Sequence, residues 1–110
     1  MSRERPRVLV VEFARPDPAA VALGRVLRDE GMEVVHAGLL DTVDQIVRTA
    51  EQEDPDAVAV LGERPPPDLE QALDPVRVVP LDAAKSLEEA VKLLSGGRSH
   101  TAGPPSDRVR

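Results

Sequence analysis

Apolar and polar positions along this chain follow two alternating rhythms. Arg7–Val8–Leu9–Val10–Val11–Glu12–Phe13 opens with an unbroken apolar run of β-branched residues and Leu. Such a run, too short for a helix and apolar on both sides, predicts a strand buried on both faces. The rhythm then changes. Ala19, Leu23, Val26 and Leu27 recur at helical spacing while Arg25, Arg28 and Asp29 fall on the other side, which predicts a helix over Pro18–Glu30. Asp17 offers a carboxylate to its free first-turn N–H groups, Pro18 suits the first helical position, and Gly31 suits the stop. Glu33–Ala37 predicts a second strand, with Gly38 opening the turn after it. Thr42-Val-Asp-Gln45 has capping-box spacing. The helix it starts is expected to bury Val43, Ile46, Val47 and Ala50 and to end before Asp54–Pro55.

Ala57–Leu61 predicts a third, central strand, followed by the stiff loop Gly62–Glu63–Arg64–Pro65–Pro66–Pro67, where three prolines in a row remove backbone donors. Asp68 with Gln71 is placed to cap a short helix through Leu73. Arg77–Val78–Val79–Pro80 predicts a short strand whose proline suits an edge or a strand end. Ser86–Leu87–Glu88–Glu89 is a second capping box, opening a helix that buries Leu87, Ala90, Val91 and Leu94 and stops at Gly96–Gly97. The predicted order is therefore β-α-β-α-β-α-β-α. That alternation predicts an α/β fold: a doubly wound, flavodoxin-like or Rossmann-like parallel sheet of about four strands in order 2-1-3-4, with helices on both faces. Residues 1–6 are expected to be a flexible N-terminus, 7–95 the domain, and 96–110 a disordered tail rich in Ser, Gly and Pro.

Composition narrows the function classes. The net charge is −6, yet Arg3, Arg5 and Arg7 against Glu4, and Arg98, Arg108 and Arg110 against Asp107, make both ends basic. The acidic middle disfavours nucleic acid and anionic membranes as partners. Phe13 is the sole aromatic residue, so no stacking platform exists, and the absence of cysteine excludes disulfides and thiolate chemistry. No apolar run approaches the ~20 residues that span a bilayer and Met1–Pro6 is no signal sequence, so a cytoplasmic location is expected.

In a sheet of this order, ligands bind where the loops after the first and third strands flank the switch point. Phe13, Ala14, Arg15, Pro16, Asp17, His36, Gly38, Gly62, Glu63 and Arg64 are the candidate crevice residues. Bland readings stand beside them: His36 as a polar strand end, Asp17 as a cap, and the remaining charges as solvated surface. The acidic run Glu51, Glu53, Asp54 and Asp56 reads as a solvated helix end, because it lacks the glycine-centred alternation of a calcium loop. Ala14–Arg15–Pro16–Asp17–Pro18 is no glycine-rich phosphate loop, and Val60–Leu61–Gly62 lacks the acid of a phosphoacceptor. Thr42 and Ser86 are explained by capping, and His100 by solvation in the tail. No triad, paired carboxylates or metal cluster supports an independent hydrolase or transferase.

Leu27-Arg-Asp-Glu-Gly-Met-Glu-Val-Val35, then Ala37–Gly38–Leu39, then Thr42 through Val47, carry a family likeness. The chain resembles the cobalamin-binding domain of methylmalonyl-CoA mutases over Arg7 to about Leu61, and more weakly over Val76–Leu94. The resemblance implies the same doubly wound fold. It also implies an Asp-x-His-x-x-Gly motif in the loop after the first strand, whose His ligates cobalt from below. Here the Asp position falls on Ala14, the His on Pro16 and the Gly on Ala19, while the family's third-strand Ser falls on Leu61. A proline nitrogen has no lone pair to give a metal, and Ala14 removes the carboxylate that would orient a ligand. The family's further strand and helix between Leu73 and Arg77 are missing. The resemblance thus implies a degenerate, non-catalytic module with no cofactor of its own expected, and cobalamin by likeness only. It would serve as an accessory or interaction subunit, with a mutase catalytic subunit or a second copy as partner, through loops 13–16, 36–40 and 63–67. The alternative is a genuine cobalamin-binding subunit that holds the cofactor without a protein ligand on cobalt.

Overall fold

The computed structural model describes residues 5–81 and 86–99. Eight elements run in the expected alternation: β1 Arg7–Phe13, α1 Ala19–Asp29, β2 Glu33–Leu40, α2 Val43–Glu53, β3 Ala57–Gly62, α3 Asp68–Leu73, β4 Arg77–Pro80 and α4 Leu87–Ser99. The strands form one sheet in the order β2-β1-β3-β4, every neighbouring pair parallel. This is a flavodoxin-like arrangement, and the reason lies in the strands. β1 and β3 are apolar at successive positions, so each side needs its own cover. Val8 and Val10 of β1 with Ala57, Ala59 and Leu61 of β3 pack under α1 and α4, through Leu23, Leu27, Ala90 and Leu94. Leu9, Val11 and Phe13 with Val58 and Val60 pack under α2 and α3, through Ile46, Ala50, Leu69 and Leu73. A fully buried Val or Leu contributes roughly 1.5–3 kcal/mol, so the two clusters, rather than helix propensity, hold these short helices in place.

Both capping boxes form. Gln45 N–H donates to Thr42 Oγ1 at 3.1 Å while Gln45 Oε1 accepts from Thr42 N–H at 3.2 Å. Glu89 N–H donates to Ser86 Oγ at 3.1 Å, and Glu89 Oε1 accepts from Ser86 N–H. At the opposite end of the sheet Arg7 ties three elements together: it pairs with Glu33 at 3.1 Å and donates to the Glu53 carbonyl. Its guanidinium is held above the ordinary arginine range, first by the Glu33 hydrogen bond.

Several boundaries differ from the sequence expectation. β2 does not turn at Gly38 but runs on to Leu40. The register slips between the pairs Val10–His36 and Val11–Gly38, so Ala37 is an extra residue absorbed as a bulge, and the strand continues beyond it. Ala19 is exposed and Ala20 buried, because the inward stripe of α1 is Ala20, Leu23, Gly24 and Leu27. Asp68 makes no cap hydrogen bond: Pro67 holds the N-cap position and Asp68 lies inside the first turn, near the helix's positive end. α4 passes through Gly96–Gly97 to Ser99. Glycine costs a helix about 1 kcal/mol per residue, a cost that a helix anchored by Ala90 and Leu94 can carry near its end. The chain is thus helical past residue 96, where the tail was expected to begin, and residues 100–110, His100 included, lie outside the described residues. So do residues 1–4 of the expected flexible N-terminus, whereas the Pro6 carbonyl accepts from Glu33 N–H at 2.8 Å. Among the described residues no helix is long and apolar enough to cross a membrane.

Candidate functional site

β1 is flanked by β2 on one side and β3 on the other, so its carboxyl end is the point at which the winding of the sheet reverses. The loop that leaves it folds back over that point. Phe13 is the last strand residue, and the next one, Ala14, adopts a left-handed backbone (φ 66°) that is uncommon for a residue with a Cβ. The bend is held on both sides: Ala14 N–H donates to the Leu40 carbonyl of β2 at 2.8 Å, and Glu63 N–H, after β3, donates to the Phe13 carbonyl at 2.9 Å. Arg15 Nη2 donates to the Gly62 carbonyl at 3.1 Å. Glu12 Oε1 accepts from Asp17 N–H at 2.9 Å, and Asp17 Oδ1 accepts from Ala19 N–H at 2.9 Å, which supplies the helix start with an acceptor that the N-cap Pro18 lacks.

Gly62 records how close this loop lies. Its φ is +85°, and a Cβ built on it would stand 2.5 Å from the Phe13 carbonyl oxygen and 2.7 Å from that of Arg15. Both are backbone atoms with little room to yield. The loops after β1 and β3 therefore meet backbone to backbone at Gly62. The cavity that touches Gly62, lined by Val60, Arg64, Pro80 and Leu81 as well, measures about 30 Å³. That is about one water's share of liquid volume.

The candidate residues separate in space. Phe13, Ala14, Arg15, Asp17, Gly62 and Glu63 are linked through the contacts above, and Arg64 comes directly after them on the same loop. Phe13 contributes only its backbone there; its ring is buried among Leu9, Val11 and Leu69, so it is a core residue and not an exposed apolar anchor. Pro16, which the resemblance sets at the cobalt-ligand position, is exposed. His36 and Gly38 stand apart from the loops. His36 pairs with Val10, three residues before Phe13, which is about 10 Å along the strand. Its ring rests on α1: a Cβ added to Gly24 would meet His36 Nε2 at 2.5 Å. Gly24 is buried in the helix because an imidazole occupies the place of a side chain. No group of three or more His, Cys, Asp or Glu among the described residues is placed to hold a metal ion.

The larger openings lie elsewhere, along β4. One cavity of about 580 Å³ is lined by Glu70, Gln71, Asp74, Pro75, Val76, Arg77 and Val78. A second, of about 280 Å³, runs on from it past Arg64, Pro65–Pro67, Leu69 and Pro80. The sequence signal for this groove was the short strand ended by a proline. Compared with known proteins, the chain matches no family model, and no curated protein matches it in sequence.

Proposed function

We propose that this chain is a non-catalytic, cobalamin-binding-like module that acts through protein contact, as an accessory or interaction subunit related to acyl-CoA mutases. The observation that carries this reading is the closed switch point: the backbone of residues 13–15 lies across the end of β3, within reach of Gly62, where a doubly wound sheet ordinarily admits a ligand. A corrinoid does not fit those residues. Pro16 brings no donor for cobalt, Ala14 no orienting carboxylate, and the loop fills the approach. With Phe13 turned into the core, the apolar contact on the loop edge falls to Leu39, which is 49% exposed at the end of β2 beside Asp41 and Thr42. A mutase catalytic subunit or a second copy is the partner that the resemblance suggests, in the cytoplasm and without nucleic acid.

The second reading, a true cobalamin subunit that keeps the cofactor's own base or water on cobalt, draws on the same resemblance and on the parallel order β2-β1-β3-β4. Titration of the protein with hydroxocobalamin and adenosylcobalamin separates the two. The interaction reading expects an unchanged visible spectrum and no co-elution on gel filtration. A red species that co-elutes with micromolar affinity establishes the other.

A further inference from the structure

At the edge of the sheet opposite β4, β2 pairs with β1 alone among the described residues. Glu33 N–H donates to the Pro6 carbonyl, toward β1, so alternation along the strand turns the N–H and C=O groups of Val34 and His36 outward. Sheet edges are commonly blunted by proline, lysine or an outlying charge. β2 contains neither proline nor lysine. Its one formal charge, Glu33, is taken by Arg7 on the face where Val35 packs toward α2.

The face toward α1 is different. Val34 packs into the cluster under α1, the His36 ring rests on Gly24, and Leu39, which pairs with Glu12 two residues beyond Val10, shares their side. Leu39 is 49% exposed, and on α1 Val21 is 64% exposed. Helical spacing places Val21 and Arg28 next to Gly24, on the flank of α1 that looks out over the β2 edge. Arg28 is exposed and pairs with no acid among the described residues. Arg25, further round the helix, has Asp29 one turn away to balance it, and Glu30 closes the helix on the opposite flank. Toward the carboxyl end of the strand stand Glu12 and Asp17, both half-buried. The strip thus runs from a cation through two apolar side chains to a pair of acids, which makes it complementary to its own reverse.

We propose that β2 of one copy pairs antiparallel with β2 of a second copy about a two-fold axis at Val35, so that one sheet runs through both. Val34 of each copy exchanges both its backbone hydrogen bonds with His36 of the other. The pairing uses the regular stretch of β2 before the bulge at Ala37. α1 lies against β1 and β2, so the two α1 helices come side by side on one face. Gly24 stands level with Val34 and His36. At about 1.5 Å per residue, Arg28 then lies about 6 Å from it toward the amino end of β2, and Asp17 about 10 Å toward the carboxyl end. The axis reverses those directions and sets Arg28 of one copy beside Val21 and Asp17 of the other. The inference rests on the reading of the chain as an interaction module and names its partner, yet the corrinoid titration does not touch this edge, so the two fail separately.

Sedimentation equilibrium of the full-length chain should show a concentration-dependent dimer. In a mixture of ¹³C-labelled and unlabelled copies, isotope-filtered spectra should connect Val34, Val35 and His36 of one copy to the same stretch of the other. Arg28→Glu faces Asp17 twice in a two-fold dimer and should raise the Kd by about tenfold or more. Leu39→Lys, which sets a charge on the edge itself, should weaken the dimer in the same direction. Both positions are exposed, so the monomer keeps its fold in either variant. The proposal is overturned by a chain that stays monomeric up to millimolar concentration, which would leave the edge to a strand of another protein. It is overturned equally by contacts between copies that spare β2, or by a Kd indifferent to both substitutions.

Discussion

Replacing Gly62 with alanine is expected to cost far more than the same change at Gly31, and the difference measures how tightly the loop after β1 closes the switch point. Both glycines have positive φ, +85° and +89°. Alanine in that region costs about 1–2 kcal/mol at either site. At Gly31 nothing lies within 4 Å of the new Cβ, so the cost ends there. At Gly62 the Cβ falls short of an ordinary 3.4 Å contact by roughly 0.9 Å from the Phe13 oxygen and 0.7 Å from the Arg15 oxygen. Relief requires the loop to lift, which breaks the Glu63–Phe13 and Arg15–Gly62 hydrogen bonds. At about 0.5–1.5 kcal/mol each, those two bonds bring the excess of Gly62→Ala over Gly31→Ala to about 2 kcal/mol. A domain of 5–15 kcal/mol survives that loss, so both variants can be compared by urea unfolding followed by far-ultraviolet circular dichroism. Effects equal to within about 0.5 kcal/mol would refute the close approach of the loop to β3.

Gly24→Ala should stabilise a His36→Ala background by about 0.5–1 kcal/mol, the usual gain in helix propensity, but much of that gain should vanish in the wild type, where the ring must move aside. A double-mutant cycle checks the pair, and a coupling near zero removes His36 from the surface of α1. Thr42→Ala should cost about 1 kcal/mol through loss of the α2 capping box, read as a lower urea midpoint at constant slope; an unchanged midpoint contradicts it.

How far the residues could be read in advance differed between fold and site. The strands were legible because Val8–Val11 and Ala57–Leu61 are apolar at consecutive positions, a pattern that only two-sided burial explains. The capped helix starts at Thr42 and Ser86 were legible because capping is local chemistry at fixed spacing. The bulge at Ala37 was not, since it arises from register against β1, and register is a property of two strands. Gly38 looked like a turn for the same reason. That the Phe13 ring packs into the core was not legible, because strand alternation alone does not say how a strand's last side chain is covered. The close meeting of the two loops was beyond the sequence as well. It depends on the left-handed turn at Ala14, a residue type that gives no warning of one, and on Gly62, whose need for a missing side chain appears only once the carbonyls of Phe13 and Arg15 stand beside it. The β4 groove was half legible: the strand ended by a proline suggested an edge, while the wall that Glu70 and Gln71 supply appears only once α3 folds beside it.

The closed switch point is tested most directly by amide hydrogen exchange at Ala14 and Glu63, with and without millimolar hydroxocobalamin. Their N–H groups bridge the loop to β2 and to β1. Both should exchange slowly, at rates close to those of the neighbouring strand amides and unaltered by the corrinoid. Rapid exchange at both sites, or a change at either one that saturates with added corrinoid, would mean that the crevice opens to a ligand and that the interaction-module account is wrong.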